Sequence, residues 1–533
     1  MRRILLLSIA VLLAPCAAMG QEPALLPAFE RGPTPPAAAV TAPMPPAPAS
    51  NEITGLKEEI RQLRERLDLL SAPAASGNAD RNPVRQAAFA QFPDEIPKLP
   101  GIAGESANAE IHCSDAKLSG WQLQAVWDNS LQFVGFEGKD EVFRVHVGGN
   151  LAFDYGWNAA SQAVQFGPGG TGQFQDGADF RYARIRIDGT MYQHFEWVAE
   201  FDFANSVNND TSTSQTPIGS PSFTNVWFGV NDLPWIGTLR AGWMDEPINF
   251  DHLTSIRWLN FMEKAPGVGA LSLTSPGILW REQAPNQRLT WAFGFFHAQN
   301  NNFGFGFGDG QYAETGRLTW LPWYEDDGAH LIHLGIAARH GHNNNNDIEL
   351  RARPSVRTMP GVDEPPLADT GSITAPTTNS VDLELAGVWG PWTLQSEYAG
   401  IWIEDAVVNS KQLGTLFYQG AYLEVLYFLT GETRAYNRQD AVFDRVIPRR
   451  NFNIWSGEPG LGAWQVGIRY GYLDLQNKGV NGATLNDIVL GLNWYLNPNA
   501  KLQWNLAIDH RESTPPGSSG WTYIFGGRVA VDF

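Results

Sequence analysis

The chain has 533 residues, of which 43% are hydrophobic, 12% aromatic and only 17% charged, and this composition excludes a disordered or wholly coiled-coil protein. The formal net charge of −19 argues against a nucleic-acid partner, because phosphate backbones are bound by basic surfaces. Beyond the N-terminal segment, no apolar run reaches the roughly 18–20 residues that a membrane-spanning helix requires, so a helical membrane protein is excluded.

Residues 1–20 have the order of a secretory signal peptide. Arg2 and Arg3 precede the apolar stretch 4–13, and small residues follow as far as Gly20, after which we expect cleavage. The mature protein is therefore expected to be exported. Cleavage would leave one cysteine of two, which is too few for a disulfide framework or a thiolate metal site.

The next segments predict a spacer and a short oligomerisation helix. Residues 21–50 are rich in proline and alanine, which is typical of an extended linker without a core. Residues 51–71 repeat aliphatic side chains at spacings of three and four, which predicts a coiled coil. These are Ile53, Leu56, Ile60, Leu63, Leu67 and Leu70. An amphipathic helix packed on a domain is the alternative, but the linkers on both sides leave it no obvious partner. Residues 72–140 are assigned to a second linker and a lead-in.

From residue 141 to residue 533 the chain alternates apolar and polar side chains, which predicts β-strands. The clearest examples are the segments 195–203, 501–509 and 521–533. A soluble sandwich and a membrane barrel share this signal. Strand candidates of about 10–13 residues, tryptophan and tyrosine near strand ends, and short turns that alternate with long loops favour the barrel. We count 16 strands, with one irregularity at 431–460, where a short turn is expected.

Several motifs in this region resemble the phosphate-selective porin O and P family. They lie in order along the barrel, at 180–190 with 195–204, at 239–247 continuing to 263, at 427–436, at 464–474 and at 490–498. The resemblance implies an all-β, trimeric, 16-stranded outer-membrane channel that passes small anionic solutes by diffusion. It also implies that one long loop, most plausibly 245–275, folds into the barrel. A coiled-coil seam with isoleucine at a and leucine at d more often specifies dimers, which leaves dimer and trimer both open.

Solute selectivity depends on the side chains that face the lumen. Strand alternation directs six arginines inward, namely Arg184, Arg186, Arg240, Arg281, Arg469 and Arg528. Arg257 joins these candidates from the expected constriction loop. Guanidinium groups on a pore wall attract anions. Carboxylates alternate to the same face, among them Glu196, Glu200 and Asp202, and could instead pair with the arginines to hold the wall rigid.

The balance of these charges favours general diffusion of small hydrophilic solutes over a true phosphate channel. Lysine is scarce after residue 141, and the chain as a whole is acidic. The pair His340 and His342 could hold a metal ion, but a solvated loop tip is the more ordinary interpretation, so we predict neither metal nor cofactor. No catalytic residues are assigned. An outer-membrane barrel enzyme, or a tether between outer membrane and cell wall, remains as an alternative function.

Overall fold

The computed structural model describes residues 121–207, 221–234, 237–269, 273–298, 310–357, 364–454, 459–514 and 517–533. The predicted signal peptide, the linker at 21–50 and the coiled coil at 51–71 lie outside the described residues. All the structural statements below concern the described part of the chain.

Strands dominate the described residues. Their bounds are β1 Trp121–Trp127, β2 Leu131–Glu137, β3 Asp140–Ala160, β4 Gly177–Met191, β5 Phe195–Asp202, β6 Ser222–Leu233, β7 Gly237–Asp245, β8 Thr274–Gln283, β9 Leu289–His297, β10 Tyr312–Glu325, β11 His330–Ile348, β12 Arg351–Ala352, β13 Ala368–Asp369, β14 Ile373–Trp389, β15 Trp392–Val408, β16 Lys411–Phe428, β17 Tyr436–Asn437, β18 Val442–Phe443, β19 Ala463–Asn477, β20 Val480–Asn497, β21 Ala500–Glu512 and β22 Gly520–Asp532.

Sixteen of these strands form a closed antiparallel barrel. Each strand from β3 to β11 pairs with the next, and the ladder continues through β14, β15, β16, β19, β20, β21 and β22. The barrel closes because β22 pairs back onto β3, with Asp532 opposite Asn150 and Thr522 opposite Ala160. Closure satisfies the backbone hydrogen bonds without leaving a sheet edge, as a barrel in lipid requires. The prediction of a 16-stranded antiparallel barrel is confirmed.

Two more strands precede the barrel, within the stretch assigned to the lead-in. β1 and β2 form a hairpin, and β2 pairs with the first half of β3, with Leu131 opposite Val147. β22 pairs only with the second half of β3, from Asn150 onward. The hairpin therefore continues the sheet beyond the point where the last strand ends. Strand structure thus begins about twenty residues before the predicted start at residue 141.

The helices are short. They are α1 Gln162–Phe166, α2 Ala204–Val207, α3 Phe250–Leu253 and α4 Pro266–Gly269, with a 3₁₀ turn at Asp326–Gly328. Among the described residues, no helix has the length and apolar character needed to cross a membrane.

The two ends of the barrel differ in their connections. At one end, called the short-turn end, most strands are joined by turns such as 390–391 and 498–499, and the exception is the long segment 429–462. The other end is called the long-loop end. Several connections between strands there are long, namely 161–176, 203–221, 246–273 and 349–372. The loop expected at 341–379 is shorter than predicted, because β11 and β14 extend beyond their apolar stretches. His340 and His342 therefore lie within β11 and not at a loop tip.

The outer surface of the barrel is apolar. Large hydrophobic side chains that point away from the lumen are exposed on strands all round the barrel, for example Phe228, Trp320, Leu385, Ile468 and Val529. The side chains between them along each strand face inward, and many of these are polar or charged. On β21, for instance, Lys501, Gln503, Asn505 and Asp509 are buried toward the interior. The alternation of the sequence thus separates a face for lipid from a polar interior.

Candidate functional site

The segment that connects β7 to β8 folds into the barrel, as predicted for 245–275. We call its described part, residues 246–269, the constriction loop. Most of its apolar side chains are buried, including Ile248, Phe250, Phe261, Met262 and Val268. A connection made only of loop and two single-turn helices holds this position because its polar backbone groups find partners on the barrel wall.

The wall that provides these partners is formed by β15, β16 and β19 to β22. The backbone N–H groups of Phe250 and Asp251 donate to the Glu397 carboxylate. Further along the loop, Asn260 donates to Glu424 at 2.7 Å, and the Met262 N–H donates to Asn505 at 2.7 Å. Lys501, Gln503 and Asn493 donate in return to loop carbonyl groups. The constriction loop is therefore bonded along one side of the lumen.

A close backbone approach anchors the end of the constriction loop. Gly267 in α4 lies against Gly420 of β16, so that a side chain on Gly420 would overlap the carbonyl oxygen of Gly267. Glycine has no Cβ and allows the two backbones to meet. α4 also packs against β19 and β15. This contact fixes where the loop turns back toward β8.

Two other segments enter the lumen. From the long-loop end, Ser355 lies between Asp487 and Arg469 and hydrogen bonds to both, and the buried Val356 packs with Met262. From the short-turn end, the segment 429–462 fills the space below the constriction loop. Its Phe443 contacts Phe250 with ring centroids 5.3 Å apart. The irregularity predicted at 431–460 is therefore a third inserted segment and does not change the strand count.

A buried charge network stabilises this packed side. Arg528 of β22 makes a bidentate ion pair with Asp154 of β3, at 2.7 Å for both hydrogen bonds, and donates to the Met262 carbonyl at 2.6 Å. Glu263 of the constriction loop accepts from Arg181 at 2.6 Å and lies 3.2 Å from Arg528. Burial alone would raise the pKa of Glu263, but the neighbouring guanidinium groups hold that pKa well below its usual range. The carboxylate is therefore ionised and binds the loop to the wall.

The opposite side of the lumen is open. A cavity of about 660 Å³, which we call the larger cavity, lies between the constriction loop and the wall formed by β3 to β8. Its lining contains six basic or imidazole side chains and three carboxylates, in addition to aromatic residues. The basic or imidazole set is His146, Arg184, Arg186, His252, Arg257 and Lys264, and the carboxylates are Asp188, Glu200 and Asp245.

A smaller cavity of about 250 Å³ lies nearer the short-turn end. It is bounded by β6 to β10, the constriction loop and residues 437–444 of the third inserted segment. Both cavities have Asn225, Trp227, Leu253 and Trp258 in their linings. The two spaces are therefore adjacent along one wall of the barrel.

Four of the predicted site residues line the larger cavity, and every arginine among them is paired with a carboxylate. Arg184 donates to Asp202 at 2.8 Å and to Glu200 at 3.3 Å. Arg257 of the constriction loop donates to the other oxygen of Glu200 at 3.2 Å. Arg186 donates to Asp188 at 2.7 Å and is the most exposed of the three arginines, with 30% of its side chain accessible. Asp202 accepts a hydrogen bond from Arg184 but does not line this cavity.

Three more predicted residues belong to the smaller cavity. Arg240 and Arg281 line it, and Glu196 supports Arg240 through a hydrogen bond of 2.6 Å. The Arg240 guanidinium also stacks on Trp227, with 4.2 Å between its central carbon and the ring centroid. Arg281 pairs with Asp440 of the third inserted segment at 2.6 Å. The structure thus brings these side chains together at the smaller cavity.

The remaining two predicted residues are part of the packed side. Arg469 is 1% exposed, donates to the Glu263 carbonyl at 2.9 Å and lies over the Phe261 ring. Arg528 is 2% exposed and forms the network described above. Neither lines the larger or the smaller cavity.

Sequence analysis did not identify several residues that line the cavities. His146, Asp188 and Trp227 face the lumen on strands whose alternation could have identified them, whereas His252 and Trp258 belong to the constriction loop, which has no periodic pattern. His340 and His342 approach each other with their Nε2 atoms 3.0 Å apart, and His340 Nδ1 lies 2.6 Å from the Asn379 side chain. Contacts within the chain therefore account for both rings.

These features define a class of protein. A closed antiparallel barrel with an apolar outer surface, a polar interior and a loop folded into the lumen is the architecture of an outer-membrane channel. The model of the phosphate-selective porin O and P family matches residues 132–517, well over half of the chain. The protein therefore belongs to this family and is an outer-membrane porin.

Two relatives and one solved structure are similar to this chain. Porin O of Pseudomonas aeruginosa is 23% identical over 390 residues, which cover 68% of this chain and 82% of that protein. An uncharacterised protein of Caulobacter vibrioides is 25% identical over 502 residues, covering 91% of this chain and 89% of that protein. The solved structure of in-vitro folded OmpT, an outer membrane protein of Vibrio cholerae, is 11% identical and covers 74% of this chain and 99% of that chain, with a TM-score of 0.44. The family and Porin O point to a channel rather than an enzyme.

Proposed function

We propose that this porin is a general diffusion channel for small hydrophilic solutes with a mild preference for anions. The observation that carries the proposal is the lining of the larger cavity, where six basic or imidazole side chains accompany three carboxylates. Without the imidazoles, three arginines and one lysine still outnumber the three carboxylates. A small positive excess on the wall attracts anions, and water and salt weaken the attraction. Anions would therefore be favoured but not retained.

Tight binding of phosphate is not part of this proposal. A phosphate ion is recognised by guanidinium forks that can turn several N–H donors toward its oxygens. Arg184 and Arg257 already donate to Glu200, and Arg186 donates to Asp188, both of which are carboxylates of the same cavity. These pairs reduce the charge and the donors that each arginine offers to a solute. Phosphate would pass as one small anion among others.

The test is the reversal potential of single channels in a planar bilayer under a KCl gradient, followed by addition of phosphate. We expect a potential displaced modestly toward chloride and a chloride current that phosphate reduces only at high concentration. Block at low phosphate concentration would contradict the proposal and indicate a phosphate-binding channel. A potential displaced toward potassium would contradict the preference for anions.

We propose further that the porin assembles as a homotrimer and that residues 51–71 reinforce the assembly as a coiled coil. Support comes from the hairpin of β1 and β2, where Leu123 and Trp127 are more than half exposed and Leu131 is 38% exposed. Apolar surface of this kind, at the short-turn end of the barrel, favours contact with another copy.

The mass of the detergent-solubilised protein tests the assembly. We expect three copies for the mature chain, and a less stable trimer after deletion of residues 22–120. Two copies in the mature protein would contradict the trimer and favour the dimeric interpretation of the heptad pattern. The same deletion separates channel from tether, because conductance should persist if the barrel is the functional part.

A further inference from the structure

Three acidic side chains meet on the packed side of the lumen, and none of them belongs to the lining of either cavity. Asp382 and Glu384 lie on β14, and Glu397 lies on β15 directly opposite Glu384. One carboxylate oxygen from each residue lies within 4.8 Å of the other two, and all three side chains are buried. We call these residues the acidic cluster.

Two members of the acidic cluster have partners. Glu384 accepts two hydrogen bonds of 2.8 Å from Arg317 and lies 3.0 Å from His333 Nε2. Glu397 accepts from the first backbone N–H groups of α3 and from the Tyr422 hydroxyl.

Asp382 is different. Its side chain has no solvent exposure, and neither of its oxygens receives a hydrogen bond. The backbone of Asn249 and the Glu397 carboxyl lie beside it. Asp382 thus offers two unoccupied oxygens to the space that it shares with Glu384 and Glu397.

The charges around this space do not balance. Asp251 of the constriction loop adds a fourth carboxylate nearby. Among the described residues, Arg317 is the one arginine that forms an ion pair with a member of the acidic cluster. An ionised buried carboxylate without a partner is strongly unfavourable, so a proton or a metal cation must compensate the excess. Converging carboxylate oxygens are the ligands of hard divalent cations, with water completing the coordination.

We propose that the acidic cluster binds a Ca²⁺-like divalent cation between Asp382, Glu384 and Glu397. Asp382 contributes the oxygens that have no other partner, and Glu397 links the cation to the constriction loop, because it already holds the start of α3. The cation would fix the loop to the wall formed by β14 and β15. Its removal would loosen the loop without changing the residues that line the larger cavity.

The experiment is calorimetric titration of Ca²⁺ into the folded porin, purified in detergent and treated with EDTA, near neutral pH. We expect a saturable site in the wild-type protein and affinity at least about tenfold weaker in Asp382→Asn. Glu424→Gln is the matched control, because it neutralises another buried lumen carboxylate, which already accepts from Asn260. The control should retain the site. Heat-modifiable migration on gels verifies that each barrel is folded.

Channel recordings give a second measurement. EDTA should increase open-channel current noise in the wild-type protein and have no effect on Asp382→Asn. Absence of a saturable site in the folded wild-type protein would overturn the proposal and leave a proton as the compensating ion. Equal Ca²⁺ affinity in wild type and Asp382→Asn would also overturn it, because the measured site would then lie elsewhere.

Discussion

The two sides of the lumen use the same residue types in opposite ways. On the open side, Arg186 and Arg184 keep 30% and 17% of their side chains accessible, and they pair with the cavity carboxylates Asp188 and Glu200. On the packed side, Arg469 and Arg528 each keep 2% accessible and also donate to backbone carbonyls of the constriction loop. Strand alternation directs all four inward. The path of the constriction loop decides which arginines meet solutes and which hold the structure.

This difference has an energetic meaning. A half-exposed ion pair contributes little to stability, because water solvates both charges and salt screens them. Breaking a buried ion pair is strongly destabilising, because loss of one partner leaves the other charge buried without compensation. The packed side should therefore govern stability, and the open side should govern permeation. Substitutions that separate these two properties would test the division.

The largest expected effect is on stability at Arg528. Replacement by methionine removes the guanidinium and leaves Asp154 and Glu263 with less compensation in a buried site. We expect a loss of about 3–5 kcal/mol in the free energy of unfolding. Urea titration in detergent micelles, followed by tryptophan fluorescence, measures this loss.

Arg186→Met is the matched control on the open side, where we expect a loss below about 1 kcal/mol. Similar losses for the two variants would show that burial does not distinguish the two sides. The division proposed above would then be abandoned.

The second effect is on selectivity at Arg257. Replacement by glutamine removes a positive charge from the larger cavity and releases one oxygen of Glu200. A unit charge at about 4 Å in water contributes about 1 kcal/mol, so the ratio of anion to cation permeability should fall by up to about fivefold. Reversal potentials under a KCl gradient measure this ratio.

Arg511→Gln is the corresponding control on the packed side. Arg511 is buried and donates to three carbonyl oxygens, of Leu367, Ser518 and Gly169. Its removal should leave the permeability ratio unchanged. A change as large as that of Arg257→Gln would mean that the charge of the whole barrel, rather than the cavity lining, sets selectivity.

The sequence was sufficient to predict the barrel and the family. Alternation of side chains along a strand has a period of two, so the inward face of β21 or β22 can be read from neighbouring residues alone. The same rule identified lumen-facing arginines on β4, β7 and β19. The inserted position of the constriction loop followed from the family resemblance and not from any local pattern.

The division into open and packed sides could not be predicted. It depends on contacts between residues far apart in the chain, such as Met262 with Asn505 and Trp258 with Arg434. Loop backbones carry no periodicity that reveals such partners. For the same reason the segment 429–462 looked like a break in the strand pattern, although it bounds the smaller cavity. The early hairpin of β1 and β2 was missed because seven-residue strands fall below the length expected of membrane strands.

The third effect is a dependence on pH at Lys264, which lines the larger cavity from the constriction loop. Burial lowers the pKa of Lys264, although Asp245 and Asp251 oppose the shift. Its positive charge is therefore lost at a lower pH than the ordinary lysine value of about 10.4. Anion preference should decline as pH rises toward that value. Lys264→Gln should start from a lower preference and lack this decline, and an identical pH profile in the variant would assign the decline to another group.

The smallest effect compares one chemical change on the two sides. Asp188→Asn on the open side weakens the partner of Arg186 in the larger cavity and should raise the anion-to-cation permeability ratio by about twofold, because water and salt screen the pair. Asp509→Asn on the packed side removes a carboxylate that is 1% exposed and lines neither cavity. Its reversal potential should equal that of the wild type. Asp487 lies directly opposite Asp509 and accepts a hydrogen bond from Ser355, so we do not expect permeating ions to approach this pair. A shift in Asp509→Asn as large as that in Asp188→Asn would show that ions also pass along the packed side.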